Sequence, residues 1–232
     1  MISLGGTMEK RGQGTPGVRR AIYRHQSIWH DHIYIRFMNG TEQARDIFIE
    51  ALRGIQKHVG VQFNLNPPPN GHIAELRVEF HPEGSGLWAS EVGTEALKRP
   101  TDEATMHLSP RFQDFDDDRS LIRHELMHFL GFDHEHQSPH ANFLFREEEV
   151  LNDVRNESGW SDDMTRANIL NKCNINDVVA SPFDPNSIMM YEIRESWTQN
   201  GFTAGRNKNL SAIDKLYLRH AYPKRRRYSS SL

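Results

Sequence analysis

Residues 124–135 read His-Glu-Leu-Met-His-Phe-Leu-Gly-Phe-Asp-His-Glu. Acidic Asp116, Asp117 and Asp118 precede this stretch, and Leu121, Ile122, Leu126, Phe129 and Leu130 recur at helical spacing, so a helix is predicted here. On it, His124 and His128 project from one face, one turn apart. Both imidazoles can therefore reach one zinc ion at about 2.0 Å. Glu125 lies about 100° around the helix, where its carboxylate flanks the metal rather than ligating it. Gly131 is a natural residue for ending the helix in a left-handed conformation. The turn it permits brings His134 back as a third ligand. Three neutral nitrogens leave the ion its double charge and an open position, which lowers the pKa of a bound water and leaves room for a substrate carbonyl. Glu125 can then take that water's proton. Six fixed positions (His124, Glu125, His128, Gly131, His134 and Glu135) arise roughly once in 10⁵ shuffles of this composition, so incidental histidines are a poor account.

These residues need a scaffold, and the chain can build one. It has 232 residues, 37% of them in the AVILMFWYC set and 25% charged. With its 16 Gly the apolar share is about 44%, close to the ordinary globular range. No apolar run is long enough for a membrane span. The net charge of −3 gives no general indication of nucleic-acid binding. The single cysteine, Cys173, excludes an intrachain disulfide framework and a multi-cysteine metal site. Residues 1–17 lack the apolar core of a secretory signal, so the expected location is the cytoplasm, or export by a route without a visible signal.

The alternation over 32–37, with Ile33, Ile35 and Phe37 on one face, predicts a strand. Ala44, Ile47, Phe48, Ala51, Leu52, Ile55 and Val59 predict an amphipathic helix closed by Gly60. Short strands are expected at 61–65, 73–80 and 104–108, and a long surface loop at 81–103. After the histidine motif, helices are expected near 146–157, 163–171 and 211–221, the last with a Ser211/Asp214 capping box. Residues 1–20 are read as a mobile segment, 21–223 as one catalytic domain and 224–232 as a disordered tail.

The motif resembles that of the metzincin zinc proteases, and within them the astacin family. Glu135 directly follows the third histidine, as in astacins. Downstream, Ser187-Ile188-Met189-Met190-Tyr191 resembles the astacin Met-turn, with Met190 in place of its usual histidine. Leu87–Gly93 and Leu210-Ser211-x-x-Asp214 resemble two further family segments, and the likeness spans about residues 20–222. The resemblance implies an α+β fold with two lobes: a mostly antiparallel or mixed twisted sheet with two long helices, then a loop-rich C-terminal lobe. It implies one zinc per chain and a peptide or protein substrate held along an edge strand, expected at 104–108. It places Met189 beneath the imidazoles and Tyr191 beside the zinc. A monomer without nucleic-acid partners is expected. Another metzincin type, or a catalytically silent zinc-stabilised module, are the alternatives; Glu125 argues against the second, since a structural zinc site has no need of it.

Family members commonly carry a pro-segment whose aspartate occupies the zinc site. The residues before about position 20 contain Glu9 but no Asp, so the chain is expected to be active without processing at Arg19-Arg20. The other histidines, His136 and His140 among them, are expected at the surface.

Overall fold

The computed structural model describes residues 22–23 and 25–224. The expectations for residues 1–20, Glu9, Arg19-Arg20 and the tail from 225 lie outside the described residues. No described helix is long and apolar enough to cross a membrane.

The chain builds β1 (Ile22–Tyr23), β2 (Ile33–Phe37), α1 (Glu42–Gln56), β3 (Phe63–Asn64), β4 (Leu76–Phe80), β5 (Ala89–Ser90), β6 (Met106–Leu108), α2 (Phe115–Phe129), β7 (Phe132–Asp133), α3 (Glu147–Ser158), α4 (Asp162–Thr165) and α5 (Ala212–Ala221). Five strands form one sheet in the order β3-β2-β4-β6-β5. The pairs β2–β3, β2–β4 and β4–β6 are parallel, and β5–β6 is antiparallel. The sheet is mixed, as expected, but parallel pairing predominates, which corrects the antiparallel emphasis. A helix or long crossover separates the paired strands in sequence, and such connections suit parallel neighbours.

Alternation along the strands turns Ile33, Ile35, Leu76, Val78, Met106 and Leu108 to one buried face. They share a core with Ile47, Phe48 and Ile55 of α1 and Ile122 and Leu126 of α2. Thr41 caps α1 by accepting from the Ala44 amide. The helix ends at Gln56, three residues before the expected stop. Gly60 serves a different purpose: a Cβ there would run into the Pro223 carbonyl, so only glycine lets the two segments approach.

Two further expectations are corrected. Residues 81–103 are not simply a loop, because they contain β5 and a 3₁₀ turn at Gly93–Lys98. The 104–108 strand is therefore not the edge; β5 covers it, pairing Ala89 with His107 and Ser90 with Met106. Two residues of strand are too few to leave a period-two signal.

Asp114 caps α2, accepting from the amides of Asp116 and Asp117. At its other end, the Trp29 indole donates to the Phe129 carbonyl at 2.7 Å, and the Tyr222 hydroxyl donates to that of Leu130 at 2.7 Å. Two terminal carbonyls of the motif helix are thus satisfied by distant aromatic residues. Beyond β7 the chain is mostly irregular, around two smaller apolar clusters. Val150, Val154, Ile169 and Trp197 form one, and Phe143, Met190 and Ile193 the other. The helix expected over 163–171 is α4 followed by a π-helical turn, Arg166–Leu170.

Candidate active site

α2 carries His124, Glu125 and His128 to the junction between the sheet core and the irregular C-terminal part. Gly131 then adopts φ +88°, and its amide donates to the His128 carbonyl at 2.8 Å. This left-handed residue turns the chain sharply. Phe132 and Asp133 pair with Tyr23 and Ile22, and His134 follows facing the helix it has just left.

The three imidazoles converge. His128 Nε2 and His134 Nε2 lie 3.0 Å apart, and His124 Nε2 and His134 Nε2 3.3 Å apart. Ligand atoms on a tetrahedral zinc at about 2.0–2.1 Å are separated by about 3.3 Å. His124 Nδ1 donates to the Ile188 carbonyl at 2.9 Å, and His128 Nδ1 donates to that of Phe132 at 2.7 Å. A carbonyl only accepts, so Nδ1 holds the proton in each ring and Nε2 presents a lone pair. The lone pairs of His124 and His128 thus point toward the ring nitrogen of His134, and a cation between the three would bind all of them. Burial also favours the neutral, ligating form: it lowers the pKa of His124, takes His128 to about 3 and holds His134 well below the ordinary range. The donor set fits a zinc ion.

Glu125 is buried, and its Oε2 has no hydrogen-bond partner. Burial pushes this carboxyl up to about 8; a cation at the triad acts in the opposite sense, favouring the carboxylate. An orphaned carboxylate oxygen beside three converging imidazoles is costly as structure alone. The Tyr191 ring packs 4.2 Å from His134 and 6.2 Å from His124, centroid to centroid. Burial, then the nearby Glu125, raise the Tyr191 hydroxyl pKa, so it stays protonated and able to donate.

Glu135 turns away from the triad. Its Oε1 accepts from the Asp184 amide at 2.9 Å, and its own amide donates to the Met189 carbonyl at 3.0 Å. Met189 is buried in the main core, and Met190 packs in the small cluster of Phe143 and Ile193. Ser187–Met189 is thus wedged between His124 and Glu135. His140 is exposed as expected, but His136 is fully buried, which corrects its assignment to the surface. His136 lies 4.6 Å from the Tyr191 ring and 5.3 Å from His134, centroid to centroid, and its Nε2 donates to the Asn168 carbonyl. Gln137 donates to the carbonyls of Ala167 and Asn171. The π-helical turn and Asn171, which follows it, thereby offer three carbonyls to residues just after the third histidine. Sequence reasoning missed His136 and Gln137 as supports of the site. Ser187 was legible within the Met-turn motif and Asp214 as a helix cap, but not the bond between them.

The model of the peptidase family described as Astacin matches residues 21–222. The chain belongs to the astacin family. As an astacin it is a zinc metalloendopeptidase, and its substrates are peptides or proteins. A solved structure of myroilysin is 27% identical, with a TM-score of 0.81, over 88% of this chain and all of that one. A second, a crystal structure of myroilysin, is 26% identical with a TM-score of 0.62, over 94% of this chain and all of that one. High choriolytic enzyme 1, a hatching enzyme zinc-protease from Oryzias latipes (Medaka fish), is 16% identical with a TM-score of 0.58, over 90% of this chain and all of that one, and shares the fold. A comparison with curated proteins gives no match.

Proposed function

We propose that residues 21–223 form a catalytic domain that holds one zinc per chain on His124, His128 and His134 and cleaves internal peptide bonds, with Glu125 carrying the proton. The observation that carries this reading is the convergence of three Nε2 atoms beside the unpartnered Glu125 Oε2. Zinc bound there supplies a Lewis acid that polarises a carbonyl and acidifies water. Glu125 accepts the proton of the attacking water and returns it to the leaving amine. Its burial suits both steps, because a carboxyl with a raised pKa holds a proton near neutrality and also releases it. Tyr191 donates its hydroxyl to the oxygen that gains charge as the carbonyl is attacked.

The outer edge of β5 is the place for an extended substrate. β5 ends the sheet, so Ala89 and Ser90 face a neighbour on one side only among the described residues. Backbone pairing there holds a peptide with little demand on its sequence. The triad, Glu125 and Tyr191 all come from one chain, so a monomer suffices. The test is to incubate the purified protein with a denatured protein, with and without a chelator. Internal cleavage that stops with chelator and returns with zinc supports the reading; a substrate left whole in every arm overturns it.

A further inference from the structure

Glu79, His81 and His107 gather on the other side of the sheet from the core. Glu79 alternates with the buried Val78 on β4, and His107 with Met106 and Leu108 on β6. The parallel register sets Glu79 directly beside His107. His81 follows β4 by one residue, and its amide donates to the Leu108 carbonyl at 2.7 Å, which fixes its backbone. His81 Nε2 and His107 Nδ1 are 2.9 Å apart, and Glu79 Oε2 lies 3.3 Å from His107 Nδ1 and 3.6 Å from His81 Nε2.

We propose that Glu79, His81 and His107 form a second metal site, taking a divalent cation of the zinc class through two imidazoles and one carboxylate. The three separations bracket the about 3.3 Å between ligand atoms on tetrahedral zinc. A charge-assisted hydrogen bond would instead draw the carboxylate to about 2.7–2.9 Å of a ring nitrogen, and Glu79 keeps to longer distances from both. All three ligand atoms lie within 4.8 Å of one another. Two nitrogens and one oxygen suit a borderline cation better than magnesium or calcium, which prefer oxygen ligands. The side chains are 22% exposed at His81, 28% at His107 and 37% at Glu79, so an ion can enter from solvent and keep water in its remaining position. Such a site binds more weakly than the buried triad. It clips β4 to β6, the strand that carries β5.

The experiment adds Co²⁺ to the full chain already loaded with one zinc, following the visible absorption of Co²⁺ held by nitrogen and oxygen. A second equivalent should bind, giving a saturable band, and zinc should displace it. In the His81→Gln/His107→Gln double variant the band should be lost, while the first zinc and peptidase activity remain. Glu79→Gln, which keeps both rings, should weaken the second equivalent at least about tenfold. Absence of a second equivalent in the parent protein, or its persistence unchanged in the double variant, overturns the proposal.

Discussion

Ser187 donates its hydroxyl to Asp214 Oδ1 at 2.7 Å, joining two residues 27 positions apart at the base of the active site. The other oxygen of Asp214 accepts from the amides of Ile188 and Ser211, at 2.9 and 2.8 Å. One carboxylate therefore caps α5 and fixes the Ser187–Ile188 peptide. The Ile188 carbonyl in turn accepts from His124 Nδ1. Ile188, held by Asp214 at its amide and by His124 at its carbonyl, thus links the last helix to a ring of the proposed metal triad.

Replacing Asp214 should therefore affect metal as well as stability. Asp214→Ala leaves buried donors unpaired and should cost about 1–3 kcal/mol of unfolding free energy. It also frees the carbonyl that orients His124, so zinc affinity should fall about 10–100-fold. Ser211→Ala removes the cap and the hydroxyl's bond to Asp184 Oδ2 but leaves Asp214 on Ile188, so it should cost about 1–3 kcal/mol with little change in zinc affinity. Denaturant unfolding and competition with a chromophoric chelator measure the two effects. Unchanged zinc affinity in Asp214→Ala would break the proposed link.

The pH dependence follows from His136. Burial holds its folded pKa at about 3, against an ordinary 6.5. Between those values the unfolded chain binds a proton that the folded chain refuses. Stability is thus complete above pH 6.5 and is lost as the pH falls, by up to about 1.4 kcal/mol per pH unit for each such histidine. His136→Gln removes one of these protons, so unfolding free energy measured from pH 6.5 to 4 should show a slope shallower by up to that amount. An identical slope in the variant would place a charged His136 in the fold.

Tyr191→Phe removes the donor and keeps the ring that packs on His134. Loss of one such donor typically costs about 10²–10³-fold in kcat. The expected outcome is a fall of about 10²-fold in kcat, with KM within a few-fold and zinc content unchanged. A variant as active as the parent would remove Tyr191 from the reaction.

His128→Ala takes away the imidazole nearest to His134 in the proposed triad. Two histidines do not hold zinc tightly, and metal analysis after gel filtration should show most of it lost. Retention of a full equivalent would mean that the ion sits elsewhere.

Much of the site was legible because its signals are local. His124 and His128 declare themselves by helical spacing, and Gly131 by its position after the last apolar residue. The cap at Ser211 and Asp214 needs three residues of context. The parts that were not legible depend on contacts made across the fold. β5 has two residues and exists because β6 offers a partner. The burial of His136 depends on the π-helical turn some 30 residues later. Gly60 reads as a helix stop, yet its role is set by Pro223 at the far end of the chain. Asp214 shows both sides: its cap could be read locally, whereas its hold on Ile188 could not.

The most direct test of the mechanism compares Glu125→Gln with the parent on one peptide substrate at equal zinc occupancy. Glutamine keeps the shape and leaves the three histidines in place, but it cannot carry the proton. General acid–base catalysis is typically worth about 10²–10⁴-fold. The predicted result is one zinc per chain in both proteins and a loss of activity in that range. A variant that retains zinc and cleaves within about threefold of the parent would contradict the role assigned to Glu125.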